Sequence, residues 1–171
     1  PIAHYNMGTV YSKLGLPEKA CEQFKRSLAI NPMNVQAWHN LGSAHMRLDR
    51  TGEAITAYRQ ALSIDENYEL AWNNLGNAYL LDGYFGQAKR AYGKVIELRP
   101  GYPDALHGLG NVALQEGAHK EALDRYRAVL ESDTSYVNAY YGMAMAYRGL
   151  GDSTRAAAEL RAFTQRQAAR R

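Results

Sequence analysis

Amides and imidazoles are the side chains whose recurrence in this sequence could do chemistry. Asn6, Asn40 and Asn74 return at one fixed interval, His39 precedes Asn40, and Met46, Leu80 and Leu114 form an apolar row at the same spacing. A primary amide donates and accepts at once, so evenly spaced asparagines can bond an extended peptide backbone with little regard to its side chains. With Asn77 and Asn111, these residues make a candidate peptide-binding groove: Asn6, Asn40, Asn74, Asn77, His39, Met46, Leu80, Asn111 and Leu114. The alternative is that asparagine merely suits a polar helix face.

Catalysis finds no comparable arrangement. The sequence holds no GxxxxGK[ST] or GxGxxG phosphate loop, no GxSxG elbow, no HExxH and no paired CxxC. Cys21 is the single cysteine, which excludes an internal disulfide and cannot by itself make a structural zinc site, and it does not fix the compartment. Of the five histidines, His45 stands where other copies of the repeat described below place a core tyrosine. His39 and His107 are two repeats apart, on the order of 20 Å for helices packed 8 to 10 Å from one another. Ligands of one zinc each lie only about 2 Å from it. The expectation is a chain without catalytic residues, metal ligands or cofactor.

Charge points away from nucleic acid. The net charge is +3, but Arg155, Arg161, Arg166, Arg170 and Arg171 against Glu159 supply the whole excess. A basic last helix end is favoured by the macrodipole, whereas phosphate binding needs a stripe that follows a backbone. No apolar run approaches the ~18 residues that would cross a bilayer, so neither nucleic acid nor membrane insertion is expected.

The elements that carry these residues follow from the interval itself, which is 34. Ala20, Ala54, Ala88, Ala122 and Ala156 fall in one register, as do Gly8, Gly42, Gly76 and Gly110, and Phe24, Tyr58, Tyr92 and Tyr126. Trp38, Leu41, Gly42 and His45 lie at i, i+3, i+4 and i+7, the stripe of a helix, and Ala54, Tyr58, Ala61 and Leu62 repeat that stripe after a break at Asp49 and Arg50. Gly15, Gly83, Gly117 and Gly151 mark the corresponding breaks, while Pro17 and Pro103 suit first helical turns. Each unit therefore predicts a helical hairpin. Glycine inside a helix costs roughly 1 kcal/mol relative to alanine, so its recurrence predicts close packing, with Gly8 expected against Ala20 and Gly42 against Ala54.

The pattern resembles the tetratricopeptide repeat. Trp72, Leu75, Gly76, Tyr79, Gly83, Ala88, Tyr92 and Pro100 reproduce its signature nearly intact, and five copies cover 1–34, 35–68, 69–102, 103–136 and 137–171. The resemblance implies an all-α, right-handed superhelical solenoid of five helix-turn-helix hairpins, a single domain over 1–171 whose concave groove binds a protein or an extended peptide. The asparagine ladder is similar to that lining the repeat domain of O-linked N-acetylglucosamine transferase, which holds substrate peptides. The carboxylate clamp of chaperone-binding members is not reproduced: of its positions only Asn40 matches, with Tyr5, Thr9, Leu70 and Asn74 at the others.

The ends differ. Leu28, Leu62, Ile96 and Leu130 give way to Thr164, and Ile30, Ile64 and Leu98 to Ser132 and Arg166, as a C-terminal capping repeat requires. Ala3, Met7, Val10 and Leu14 open the chain with an apolar face that further repeats or another chain would cover. The expected function is a non-enzymatic adaptor. The alternatives are the substrate-recruiting region of a larger enzyme, such as an O-linked glycosyltransferase, and a self-associating scaffold.

Overall fold

The computed structural model describes residues 1–169, and the regular structure among them is entirely helical. Arg170 and Arg171 of the basic C-terminal cluster lie outside the described residues. The helices are α1 (Ile2–Lys13), α2 (Pro17–Ile30), α3 (Val35–Met46), α4 (Thr51–Ile64), α5 (Glu69–Leu81), α6 (Phe85–Leu98), α7 (Pro103–Gln115), α8 (His119–Ser132), α9 (Val137–Gly149) and α10 (Ser153–Ala168). Two helices fall in each 34-residue interval, as the double stripe predicts.

Local chemistry sets the boundaries. Pro17 and Pro103 occupy first helical turns, where a missing N–H costs little. Asn34 and Asp152 cap α3 and α10 by accepting from Ala37 N (3.0 Å) and Arg155 N (2.9 Å). Gly15, Gly83, Gly117 and Gly151 end first helices in the left-handed region at φ of 73 to 78°, and Asp49 takes the same turn at φ 55°. Asn31, Asp65 and Asp133 accept from backbone N–H groups two residues on, at 3.2, 3.0 and 2.8 Å. These short turns carry the chain into the next first helix.

The chain falls into two compact units, Pro1–Gln87 and Ala88–Arg171. In the first, α1 packs on α2 and α3 on α4, with α2 against α3 and α4 against α5. Its core joins Ala20, Cys21, Phe24, Leu28, Ala37, Leu41, Ala44 and Ala57. In the second, α7 pairs with α8 and α9 with α10, and α8 lies against α9. Tyr126, Val129, Ala122, Leu123, Met143 and Tyr147 form the centre of that core.

The recurrent glycines do mark close approach, but against a different neighbour from the one expected. A Cβ on Gly8 would come within 2.6 Å of the Phe24 ring, one on Gly42 within 2.6 Å of Tyr58, and one on Gly110 within 2.6 Å of Tyr126. The aromatic ring of the second helix, rather than its alanine, fills the space a side chain would need. The alanines are buried all the same, Ala20, Ala54, Ala88 and Ala122 completely. At the start of the chain, Ile2, Met7, Val10 and Leu14 are exposed.

Candidate functional site

The first helices of each unit carry the candidate groove residues. In the Pro1–Gln87 unit, His39 and Asn40 on α3 and Asn74 on α5 are half-buried and joined by a directed chain of hydrogen bonds. The Asn74 amide N–H donates to His39 Nε2 (2.9 Å), so that nitrogen is the unprotonated acceptor and the ring carries its proton on Nδ1. Nδ1–H then donates to Asn40 Oδ1 (3.2 Å), and Asn40 Nδ2 donates to the Tyr5 hydroxyl on α1 (3.2 Å). Three first helices are thereby linked through their polar side chains. Tyr68, placed by the Asp65 turn, meets the His39 ring edge-on at 5.4 Å, and Tyr58 lies 5.8 Å from it. Burial pushes the His39 pKa below its ordinary value, with the Asn40 bond opposing in part.

Met46 and Leu80 are half-buried in the same unit, while Asn6 and Asn77 are exposed. The structure thus brings His39, Asn40 and Asn74 into one network, and does not join Asn6 to it.

In the Ala88–Arg171 unit the face is built differently. Tyr126 donates to Asn111 Oδ1 (2.8 Å), and Asn111 Nδ2 donates to His107 Nδ1 (3.4 Å), which makes His107 the opposite tautomer from His39. The His107 ring lies 5.6 Å from Tyr126 and 5.2 Å from Tyr136, whose hydroxyl donates to Asp104 Oδ1 (2.8 Å). Burial lowers the His107 pKa, and Asp104 partly offsets this. The asparagine ladder is interrupted at Gly108 and Gly142, where the Tyr92 and Tyr126 rings occupy the space that a Cβ would take. A pocket of about 350 Å³ opens beside Gly142 and includes both predicted residues of this unit, Asn111 and Leu114.

Tyr141, Met145 and Phe163 also line this pocket and are not among the nine candidate groove residues, although Tyr141 and Met145 share the register of the first-helix face, and only Phe163 comes from a second helix. A register break could have exposed Phe163: the same place holds Ser27, Ala61, Val95 and Val129 in the preceding copies. Met145 likewise replaces the amide of Asn77 and Asn111. Among the described residues, no three His, Cys, Asp or Glu side chains converge as metal ligands, and no helix is long and apolar enough to cross a membrane.

Family models decide the classification. Models of the tetratricopeptide repeat match residues 1–34, 73–137 and 138–168, and a TPR-repeat model matches 50–83. The chain is a tetratricopeptide-repeat protein. No curated protein sequence matches it, but solved structures do. The crystal structure of MamA aligns at 24% identity over 96% of both chains, with a TM-score of 0.83. A MamA fragment from Desulfovibrio magneticus RS-1 aligns at 16% identity over 98% of this chain and 94% of its own, TM-score 0.87. YrrB, described as a TPR protein with an unusual peptide-binding site, aligns at 20% identity over 96% of this chain and 84% of its own, TM-score 0.75. At these identities the likeness is one of fold, and it agrees with an all-helical array of TPR hairpins.

Proposed function

We propose that this TPR protein is a non-enzymatic scaffold whose first-helix face binds an extended protein segment. The observation that carries the reading is the bonded series Tyr5, Asn40, His39, Asn74. Each bond fixes an amide in one rotamer, and a primary amide has two N–H groups and two acceptor sites on its oxygen. Asn40 therefore keeps one N–H and one lone pair beyond those used within the protein. Groups held in place before binding lose little side-chain entropy on binding, which is how a polar face gains affinity for a backbone. Met46 and Leu80 beside the amides supply apolar contacts that are indifferent to sequence. The peptide-binding site named for YrrB is consistent with this use of the fold.

Peptides selected from a display library against the immobilised chain provide the probe, and calorimetry the readout. Replacing Asn40 and Asn74 together by alanine removes two backbone bonds of roughly 0.5 to 1.5 kcal/mol each, so affinity falls about tenfold while circular dichroism stays helical. Unchanged affinity in this double variant and in Leu80→Ala overturns the reading.

A further inference from the structure

In α9 neither amide row of the first-helix face continues: Gly142, like Gly108 before it, stands in the register of Asn40 and Asn74, and Met145 in that of Asn77 and Asn111. Beside these residues lies the pocket of about 350 Å³ in the Ala88–Arg171 unit. One side is the backbone of Gly142 pressed on the Tyr126 ring. Another is the pair Tyr141 and Phe163, with centroids 5.5 Å apart and planes tilted by 51°. Leu114 and Met145 add aliphatic and thioether surface, and Asn111 and Asn138 contribute amides.

No lining side chain carries a formal charge. His107 is neutral in this arrangement, since its Nδ1 accepts from the Asn111 amide. An ammonium or carboxylate placed here would lose water and find no opposite charge, which is costly. Ring faces and edges reward another ring beyond the area buried, through offset and edge-to-face contacts, and a thioether sulfur adds a favourable contact to an aromatic edge. The volume sits at the small end of ligand pockets, suited to one large side chain rather than a cofactor.

We propose that this pocket receives an uncharged aromatic side chain, Phe above all, from the bound segment. The inference rests on the binding reading above only in taking the occupant to be a peptide.

The experiment is methyl NMR of the whole chain labelled with ¹³C-methionine, titrated with N-acetyl-Gly-X-Gly-amide in which X is Phe, Leu, Glu or Lys. Met145 reports the pocket, while Met7, Met33 and Met46 belong to the other unit and Met143 lies in the core. The Phe peptide shifts Met145 and binds about three- to tenfold more tightly than the Leu peptide, the ratio that aromatic pairing adds to area burial. The Glu and Lys peptides bind more weakly still. Phe163→Ala and Tyr141→Ala both abolish the preference; Tyr141 is 50% exposed and Phe163 partly so, and an unmoved Met143 signal confirms the fold. An unmoved Met145 signal, equal affinity for Phe and Leu, or preference for a charged peptide overturns the proposal. Because the asparagine variants of the other unit are read with display-selected peptides, either idea fails without the other.

Discussion

The same helix face is solved in two ways in the two units. At one register position the Pro1–Gln87 unit places Asn40 and Asn74, and the Ala88–Arg171 unit places Gly108 and Gly142. The asparagines are tied side chain to side chain through His39, whereas the glycines lie beneath tyrosine rings that leave no room for a Cβ. One face is a polar chain bonded across three first helices, and the other sets the bonded group Tyr126, Asn111 and His107 in the lining of a pocket. The repeat thus keeps its register while this one position on the open face switches between displaying an amide and yielding its space to a tyrosine ring.

Exchanging the residues breaks the comparison most severely. Gly142→Asn forces its Cβ against the fully buried Tyr126 ring, and overpacking of that kind costs typically ~1–3 kcal/mol. The reverse change, Asn74→Gly, loses the bond to His39 and some helix propensity, roughly 1 kcal/mol together. Urea midpoints rank the two. If Gly142→Asn is as stable as the parent, the Tyr126 ring yields its place at no cost and the steric contrast between the units falls.

A smaller contrast lies in the tyrosine hydroxyls. Tyr126 donates to Asn111 at 2.8 Å, while Tyr58 shares a 3.3 Å contact with the Ser43 hydroxyl. Tyr126→Phe is expected to lower stability by about 1 kcal/mol, in the ordinary range for a lost hydrogen bond, and Tyr58→Phe by less. Equal urea midpoints for the two phenylalanine variants would erase this difference between the units.

The two histidines sharpen the comparison through pH. Neutral His39 both accepts and donates in its chain, and protonation at Nε2 would set N–H against the Asn74 N–H. Burial holds its folded pKa below the unfolded value of about 6.5. On acidification the unfolded chain takes up the proton first, so this stability is complete above pH 6.5 and is lost as pH falls from there to the folded pKa. His45 and His107 are shifted in the same direction by burial, so the parent loses stability below neutrality through all three. His39→Gln should show a shallower fall in urea midpoint between pH 7.5 and 5.5. An identical slope would remove His39 from the account.

Most of the scaffold was legible because it is written in small and apolar residues at a fixed interval. Both helices of every copy, the glycine turns, Pro17 and Pro103 at first turns and the buried His45 follow from side-chain size and spacing alone. The partner of the helix glycines was not, since register aligns Gly8 with every other glycine but does not say whether Ala20 or the Phe24 ring fills the gap. The polar face was half legible. Spacing put Asn40 and Asn74 on one surface, but the rotamers that join them through His39 depend on three-dimensional approach of successive helices. Phe163 was not legible, since α10 turns polar as a capping helix does and a lone aromatic among its residues has no periodic companion: Ser27, Ala61, Val95 and Val129 hold its place in the other copies.

The finest test asks whether the chain in the first unit acts as one network. Asn40 reaches the Tyr5 hydroxyl at 3.2 Å across a partly solvated gap, so this terminal bond should contribute only about 0.5 kcal/mol, the low end for neutral hydrogen bonds. Tyr5→Phe deletes the acceptor while keeping the ring near Phe24, with centroids 6.0 Å apart in the parent, and Asn40→Ala deletes the donor. In a double-mutant cycle the two changes should couple by about 0.5 kcal/mol, because the second removes a partner the first has already taken away. Tyr5→Phe paired with Asn111→Ala shares no partner, since Asn111 bonds to Tyr126 and His107, and should be additive. Coupling larger than the single bond would mean that Tyr5 also steadies His39 through Asn40, extending the network to Asn74. Strict additivity of Tyr5→Phe and Asn40→Ala would instead detach α1 from it, leaving the preorganised amides to α3 and α5 alone.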